Sequence, residues 1–242
     1  MVADLLSQQN EYKWLVSVNT AQAGHSVPYF GTSEVKKVVN RQLPSSCVND
    51  HKANIFIGAG SIINIDVFVK EILDLENMGI PVLGRLFVSP QAGVVTEKHI
   101  KIEKEEKLDD KIVSTVEGIG AAFAERVRRK APVFRDVASE LPDIIKNGIK
   151  LYDPHYGGML YPEMDGDILV EGSQGFGLSI YSPYYPFCTS RDTTPASFVS
   201  GAQLNPRKIR DIYGVFRTFP IRVGGNSGDM NKEMSWEEVA KK

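Results

Sequence analysis

An α/β domain with a mostly parallel central sheet flanked by helices is the fold class this chain predicts. Short apolar runs alternate with amphipathic stretches, and several of those runs close on Gly-rich turns. No internal repeat or low-complexity linker interrupts the alternation. Strands alternating with helices bury their apolar faces by covering a parallel sheet. The 242 residues, 42% of them hydrophobic, suffice for one sizeable core, and a single domain over 1–242 is expected.

The elements follow in order. "VADLLSQ" has helical spacing, with Val2, Leu5 and Leu6 on one side and nothing before it to cap it. "KWLVSVN" and "NIFIGAG" are β-type runs, the second closed by Gly58 and Gly60. A strand ending in Gly-x-Gly-Ser and followed by "NIDVFVKEILDLENMG" reads as strand, turn and helix, the helix ending at Gly79. "IPVLGRLFVS" is strand-like again. The charge-alternating "TEKHIKIEKEEKLDDKI" reads as a solvated helix or hairpin face. "GIGAAFAERVRRK" reads as a helix, with Ala122, Val127 and its alanines available for packing. "DILVEGSQG" is a strand and Gly-rich turn, and "IYGVFRTFPIRVGG" a late strand region.

Composition narrows the function. A net charge of −2 gives no reason to expect a polyanion partner, so no nucleic acid is expected. Cys47 and Cys188 fit no metal or redox spacing and read as reduced thiols of a cytosolic protein. The apolar runs are too short and polar to span a bilayer, so no membrane is expected. "MVADLLSQQNEYK" lacks the basic start and apolar core of a signal peptide. The location expected is cytoplasmic.

In a parallel sheet, ligands gather at the loops beyond the carboxyl ends of strands. "QAGHS", "GAGS" and "EGSQGFG" all fit that place. The first carries His25 behind Gly24, where the backbone can approach a ligand closely, although by itself it also fits a surface loop with an incidental histidine. Downstream, "VEGSQGFGLSIYSPYYPFCTSRDTTPASF" sets Gly-rich N–H groups beside the hydroxyls of Thr189, Ser190, Thr193 and Thr194. These suit phosphate, with Gln174 able to reach a heterocycle edge; local side-chain capping is equally open. In "STVEGIGAAFAERVRRK", Ser114 and Thr115 offer hydroxyls able to donate to phosphate, and Arg126, Arg128 and Arg129 follow on the helix. Neighbours in sequence fan to different faces, so not all three can meet one ligand, and a solvated basic face is the common outcome.

"AGHS", "STVEGIGAAFAERVRRK", "VEGSQGFGLSIYSPYYPFCTSRDTTP" and "FPIRVGG" stand in the order seen in adenylosuccinate synthetases. That family carries Asn-Ala-Gly-His-Thr, Gly-Thr-Thr-Gly-x-Gly-Ile-Gly-Pro, Glu-Gly-x-Gln-Gly, Tyr-Pro-x-Val-Thr-Ser and Thr-Arg-Val-Gly. The chain resembles its compact archaeal and phage members most, including phage 2-aminoadenylosuccinate synthetases that act on dGMP. The resemblance implies a P-loop-related fold and a ligase of purine nucleotide biosynthesis. GTP or ATP, with Mg2+, phosphorylates O6 of a purine monophosphate, and L-aspartate then displaces that phosphate from C6.

Carried over by position, the resemblance makes His25 the catalytic acid or charge stabiliser at the transferring phosphoryl group. It gives Gly24 a carbonyl ligand to Mg2+. Gln22 replaces an Asn one methylene shorter, and Thr115 becomes a phosphate ligand. Gln174 stands near the purine with a part in catalysis, and Thr189 belongs to a phosphate- and ribose-side loop. Arg129 would reach the nucleotide of a neighbouring subunit, so a homodimer is implied.

Departures accompany the match. The family opens on Gly-Asp-Glu-Gly-Lys-Gly-Lys, whose Asp is the catalytic base, and "MVADLLS" resembles the helix directly after it. The family also continues past Arg-Val-Gly into an aspartate-binding arginine loop and a base-reading Lys-x-Asp. The fold expected is therefore incomplete at both ends. Val116 and Glu117 replace a Thr-Gly-Arg or Thr-Gly-Ser type sequence, which sets a carboxylate beside a phosphate site. IMP is the expected substrate. The alternatives are dGMP and a paralogue that binds purine monophosphate without catalysis.

Overall fold

A computed structural model describes residues 1–31, 34–154, 164–216 and 235–241. The chain enters through helix α1 (Val2–Gln9) and strand β1 (Trp14–Ser17), then forms an antiparallel hairpin of β2 (His25–Tyr29) and β3 (Lys36–Asn40). Strand β4 (Asn54–Ile57), the short β5 (Ile62–Ile63) and helix α2 (Ile65–Asn77) follow. Next come β6 (Leu86–Val88), β7 (Gly93–Val94), and helices α3 (Glu97–Glu105), α4 (Leu108–Ile112) and α5 (Ile119–Val127). Helices α6 (Phe134–Val137) and α7 (Asp143–Gly148) lead to β8 (Ile149–Leu151) and β9 (Ile168–Glu171). A last buttress, α8 (Pro195–Gly201), lies beyond them.

The central sheet runs β8-β6-β4-β1-β9 with every pairing parallel, as expected from the sequence. Strand alternation divides the core. Leu15, Ile55, Ile57, Leu86, Val88 and Leu169 share one cluster with Phe68, Ile72 and Leu75 of α2. Trp14, Val16, Phe56 and Phe87 belong to the other, where Trp14 stacks on Tyr152 at 5.5 Å between centroids. Helix α2 buries Phe68, Glu71, Ile72 and Leu75, one stripe at helical spacing. Asn64 caps its start through the Val67 N–H, and Gly79 ends it at φ 79°.

Several expectations are corrected. In α1 the inward residues are Asp4 and Ser7, with Ala3 and Leu6 packed on the core, while Leu5 is 52% exposed. Asp4 is held there by Asn49 at 2.9 Å and Gln8 at 2.9 Å, so polar partners displace the simple apolar stripe. Val127 is 79% exposed, and Ile119 and Ala122 are the buried packing residues of α5. That helix also stops at Val127, so Arg128 caps it and Arg129 lies beyond it at φ 60°. The charged run forms α3 and α4, and its face is not wholly solvated, because His99 and Glu103, four residues apart, are buried. Residues 212–216 are irregular rather than extended, and the rest of "IYGVFRTFPIRVGG" lies outside the described residues.

The glycines of "GAGS" answer to packing. A Cβ on Gly60 would lie 2.7 Å from the Gly201 Cα, and one on Gly58 would lie 2.8 Å from the Gly201 carbonyl oxygen. The Gly60 N–H donates to that same oxygen at 2.8 Å. The turn is bare so that the end of α8 can seat against it.

Candidate active site

Strands β1 and β9 are neighbours in the sheet, with Ser17 opposite Glu171, so the loops that leave their carboxyl ends emerge side by side. Glu171 is buried, 7% exposed. Its Oε2 accepts from the Ser45 N–H at 2.8 Å and the Ser45 hydroxyl at 3.0 Å. Its Oε1 meets His25 Nδ1. An ionised carboxylate only accepts, so the shared proton belongs to Nδ1, and Nε2 is the nitrogen left for chemistry. His25 is the first residue of β2 rather than the end of a strand; its hairpin partner is Asn40. Its side chain remains 27% exposed. The sequence reading missed Glu171, although its motif, Glu-Gly-Ser-Gln-Gly, contains it.

Gln22 and Gly24 lie in the turn between β1 and β2, and Gln174 lies in the turn after β9. The side-chain oxygens of Gln22 and Gln174 are buried without a hydrogen-bond partner, and so are Asn19 Oδ1, Thr20 Oγ1 and Ser173 Oγ. Gln174 also adopts φ 72°, a left-handed backbone that costs a non-glycine residue energy. Polar atoms left unsatisfied on adjoining loops are open to a polar ligand or to water. Asn19, Thr20 and Ser173 were not foreseen.

The hydroxyl segment docks on the same edge. The Arg191 guanidinium, 7% exposed, donates through Nη1 to the Val18 carbonyl at 2.6 Å and lies over the Phe198 ring at 5.0 Å. Burial pushes Arg191 down to about 10. The Thr189 N–H donates to Leu178 O at 2.7 Å. Thr193 donates to Gly175 O at 3.0 Å and Thr194 to Asp192 Oδ2 at 2.7 Å. For these two the local-capping alternative holds, and their protons are committed.

Thr115 is exposed just before α5, within a segment where Val116 has φ 52°. Glu117 meets a cation. Its carboxylate pairs with Arg41 Nη2 at 3.1 Å, and Arg41 directly follows Asn40, the hairpin partner of His25. The start of α5 is occupied from within, since Glu103 accepts the N–H groups of Gly118, Gly120 and Ala121. His25, Gln22, Gly24 and Gln174 therefore gather at one edge, and Arg41–Glu117 ties the Thr115 segment to it. Arg129 is exposed at the far end of α5, about 13 Å of helix away from that segment.

Comparison with known proteins decides the family. The model of adenylosuccinate synthetase matches residues 1–160 and 158–241. The chain belongs to the adenylosuccinate synthetase family. The synthetase of Pyrococcus horikoshii is 35% identical over 218 residues, covering 90% of this chain and 60% of that protein. The N6-succino-2-amino-2'-deoxyadenylate synthase of Vibrio phage phiVC8 is 31% identical over 249 residues, covering 99% of this chain and 69% of that one. The chain thus spans about 60% of the length of the archaeal synthetases of Pyrococcus horikoshii, Thermococcus sibiricus and Archaeoglobus fulgidus. Among solved structures, the cyanophage S-2L succinoaminodeoxyadenylate synthetase, bound to dGMP and dATP as an energy donor, superposes with TM-score 0.71 at 27% identity. That match covers 84% of this chain and 55% of the phage protein. The Plasmodium falciparum adenylosuccinate synthetase shares the fold, at TM-score 0.66 and 22% identity, over 86% of this chain and 56% of its own. These similarities bear out the archaeal and phage character read from the synthetase motifs.

The described residues contain no group of three or more His, Cys, Asp or Glu side chains able to hold a metal ion. Mg2+ takes six oxygens, several of them usually water and phosphate. Gly24 offers one exposed carbonyl, so these residues form no metal site of their own. No helix among them is long and apolar enough to cross a membrane.

Proposed function

We propose that this chain carries the purine-monophosphate and histidine portion of a ligase that joins L-aspartate to C6 of the nucleotide. GTP or ATP phosphorylates O6, because a carbonyl oxygen leaves poorly until it is esterified. The amine of aspartate then attacks C6, the C6–O6 bond breaks, and phosphate departs with the electron pair. The contact of His25 with Glu171 supports this reading best. It is a histidine held by a buried carboxylate, with Nε2 directed away from that carboxylate to donate a proton or stabilise charge on the transferring group. Gln174 faces the purine, Gln22, Thr115 and Thr189 take the phosphate and ribose, and Arg129 serves the site of a second subunit in a homodimer. Mg2+ would arrive with the triphosphate and take at most the Gly24 carbonyl from these residues.

IMP is the substrate in this reading. The similarity to the Vibrio phage synthase over 99% of the chain favours a second reading, with dGMP in its place. A third keeps monophosphate binding without catalysis. Thermal shift with IMP and with dGMP, followed by aspartate-dependent phosphate release, separates the three. Stabilisation with turnover identifies the ligase and its base. Stabilisation alone identifies the binding paralogue, and no stabilisation by either nucleotide defeats all three.

A further inference from the structure

Arg41, the residue directly after β3, is a cation that the sequence motifs did not mark. It follows Asn40, which pairs with His25 across the ladder, and its side chain reaches the segment before α5 through Glu117. Its backbone is fixed, because the Arg41 N–H donates to the buried Glu71 carboxylate at 2.9 Å. Its side chain is about one-third exposed and is held, among the described residues, by a single hydrogen bond, Nη2 to Glu117 Oε1 at 3.1 Å. A guanidinium offers five donors in a planar fork, so one such bond leaves most of its capacity for an oxyanion. Glu117 reaches it from a strained place. Val116 immediately before it is β-branched at φ 52°, and Gly118 after it has φ 77°.

We propose that Arg41 is an oxyanion-binding residue of this site and that Glu117 is its built-in competitor, displaced when a phosphate or carboxylate group of the substrate takes the guanidinium fork. This rests on the nucleotide-ligase reading for the identity of the substrate, and on the pair's geometry for the exchange. An ion pair whose two side chains are each about one-third exposed is weak. A bidentate Arg–phosphate contact surpasses it. Glu117 would thus keep the edge neutral until a dianion arrives, and would reject weaker anions that cannot displace it.

The test uses inorganic phosphate, IMP, dGMP and L-aspartate, titrated calorimetrically into the full chain and into Glu117→Gln, Arg41→Met and Arg41→Lys. Removing the competitor in Glu117→Gln should tighten phosphate binding about fivefold. Arg41→Met should abolish that gain even in the double variant, and Arg41→Lys should restore only part of it, since the fork is lost. If the gain appears with the nucleotides and not with aspartate, the group bound is the phosphate; the reverse pattern assigns the carboxylate. Equal phosphate affinity in all variants, or undetectable binding in all, overturns the proposal. A lowered melting temperature in Glu117→Gln with unchanged affinity also overturns it, since the pair is then only a tether. Should the phosphate pattern hold while neither nucleotide binds the parent chain, the anion site stands and the ligase reading falls.

Discussion

Glu103 and Gly118 lock α3 to the start of α5: the Gly118 N–H donates to Glu103 Oε2 at 2.7 Å. The other oxygen accepts from Gly120 at 2.7 Å and Ala121 at 3.2 Å. Helix starts leave N–H groups unpaired and carry partial positive charge, so a buried carboxylate suits them. Gly118 permits the approach, since a Cβ there would fall 2.8 Å from the Ile100 nitrogen. An anion at this helix start is therefore supplied by the chain itself.

Glu103→Ala should cost about 2–4 kcal/mol, combining a lost cap with buried N–H groups left unpaired. Glu103→Gln, which keeps an accepting oxygen, should cost about half as much. Urea unfolding reads both values. A loss below about 0.5 kcal/mol for the alanine variant would mean that water replaces the carboxylate without penalty.

Glu71 predicts a pH effect. Burial pushes its carboxyl from 4.5 up to about 7, against the pull of the Arg41, Leu43 and Gln42 N–H groups. A group raised on folding adds stability below its unfolded value and loses it as pH climbs through the folded one. Relative to Glu71→Gln, the parent chain should therefore lose stability between pH 4.5 and 7. Parallel stability curves for the two proteins across that window would show that Glu71 ionises as easily as in water.

The parallel sheet was legible because its strands are apolar runs buried on both faces, as in "WLVS", where all four residues are buried. Motif order proposed His25, Gln22, Gly24 and Gln174, and the fold sets them in the segments that follow β1 and β9. The hairpin was not legible. Lys36, Lys37 and Val39 of β3 are exposed, which hides the apolar signal that marks a strand. Glu171, Arg41, Glu103 and Glu71 were missed for a shared reason. Each acts on residues distant in sequence, 146 positions apart for His25 and Glu171, and a carboxylate in a charged run looks solvated until its partner is known. Arg129 was placed on a helix that ends two residues earlier, because capping geometry rather than composition stops it.

Gly60→Ala should destabilise the chain by about 1–3 kcal/mol, because its Cβ would overlap the Gly201 Cα at 2.7 Å and the Val18 Cγ1 at 2.9 Å. Backbone cannot move aside as a side chain tip can. Pairing the change with a reduced side chain, in Gly60→Ala/Val18→Ala, should recover little, since the Gly201 backbone remains. A neutral melting temperature for the single variant would mean that α8 seats less closely on this turn.

His25 and Glu171 carry the sharpest prediction. His25→Asn, in a form of the enzyme that turns over, should lose about 10²–10⁴-fold in rate while monophosphate affinity stays within about twofold. Glu171→Gln keeps the shape and the Ser45 contacts but cannot hold Nδ1–H as a charged acceptor. It should lower the rate less than His25→Asn, because the ring is kept but is no longer oriented by a charged acceptor. The double variant should be no worse than His25→Asn alone, since the carboxylate acts through the ring. Additive losses would assign Glu171 a contact with substrate of its own, and equal loss of binding and rate on removing His25 would make the histidine structural.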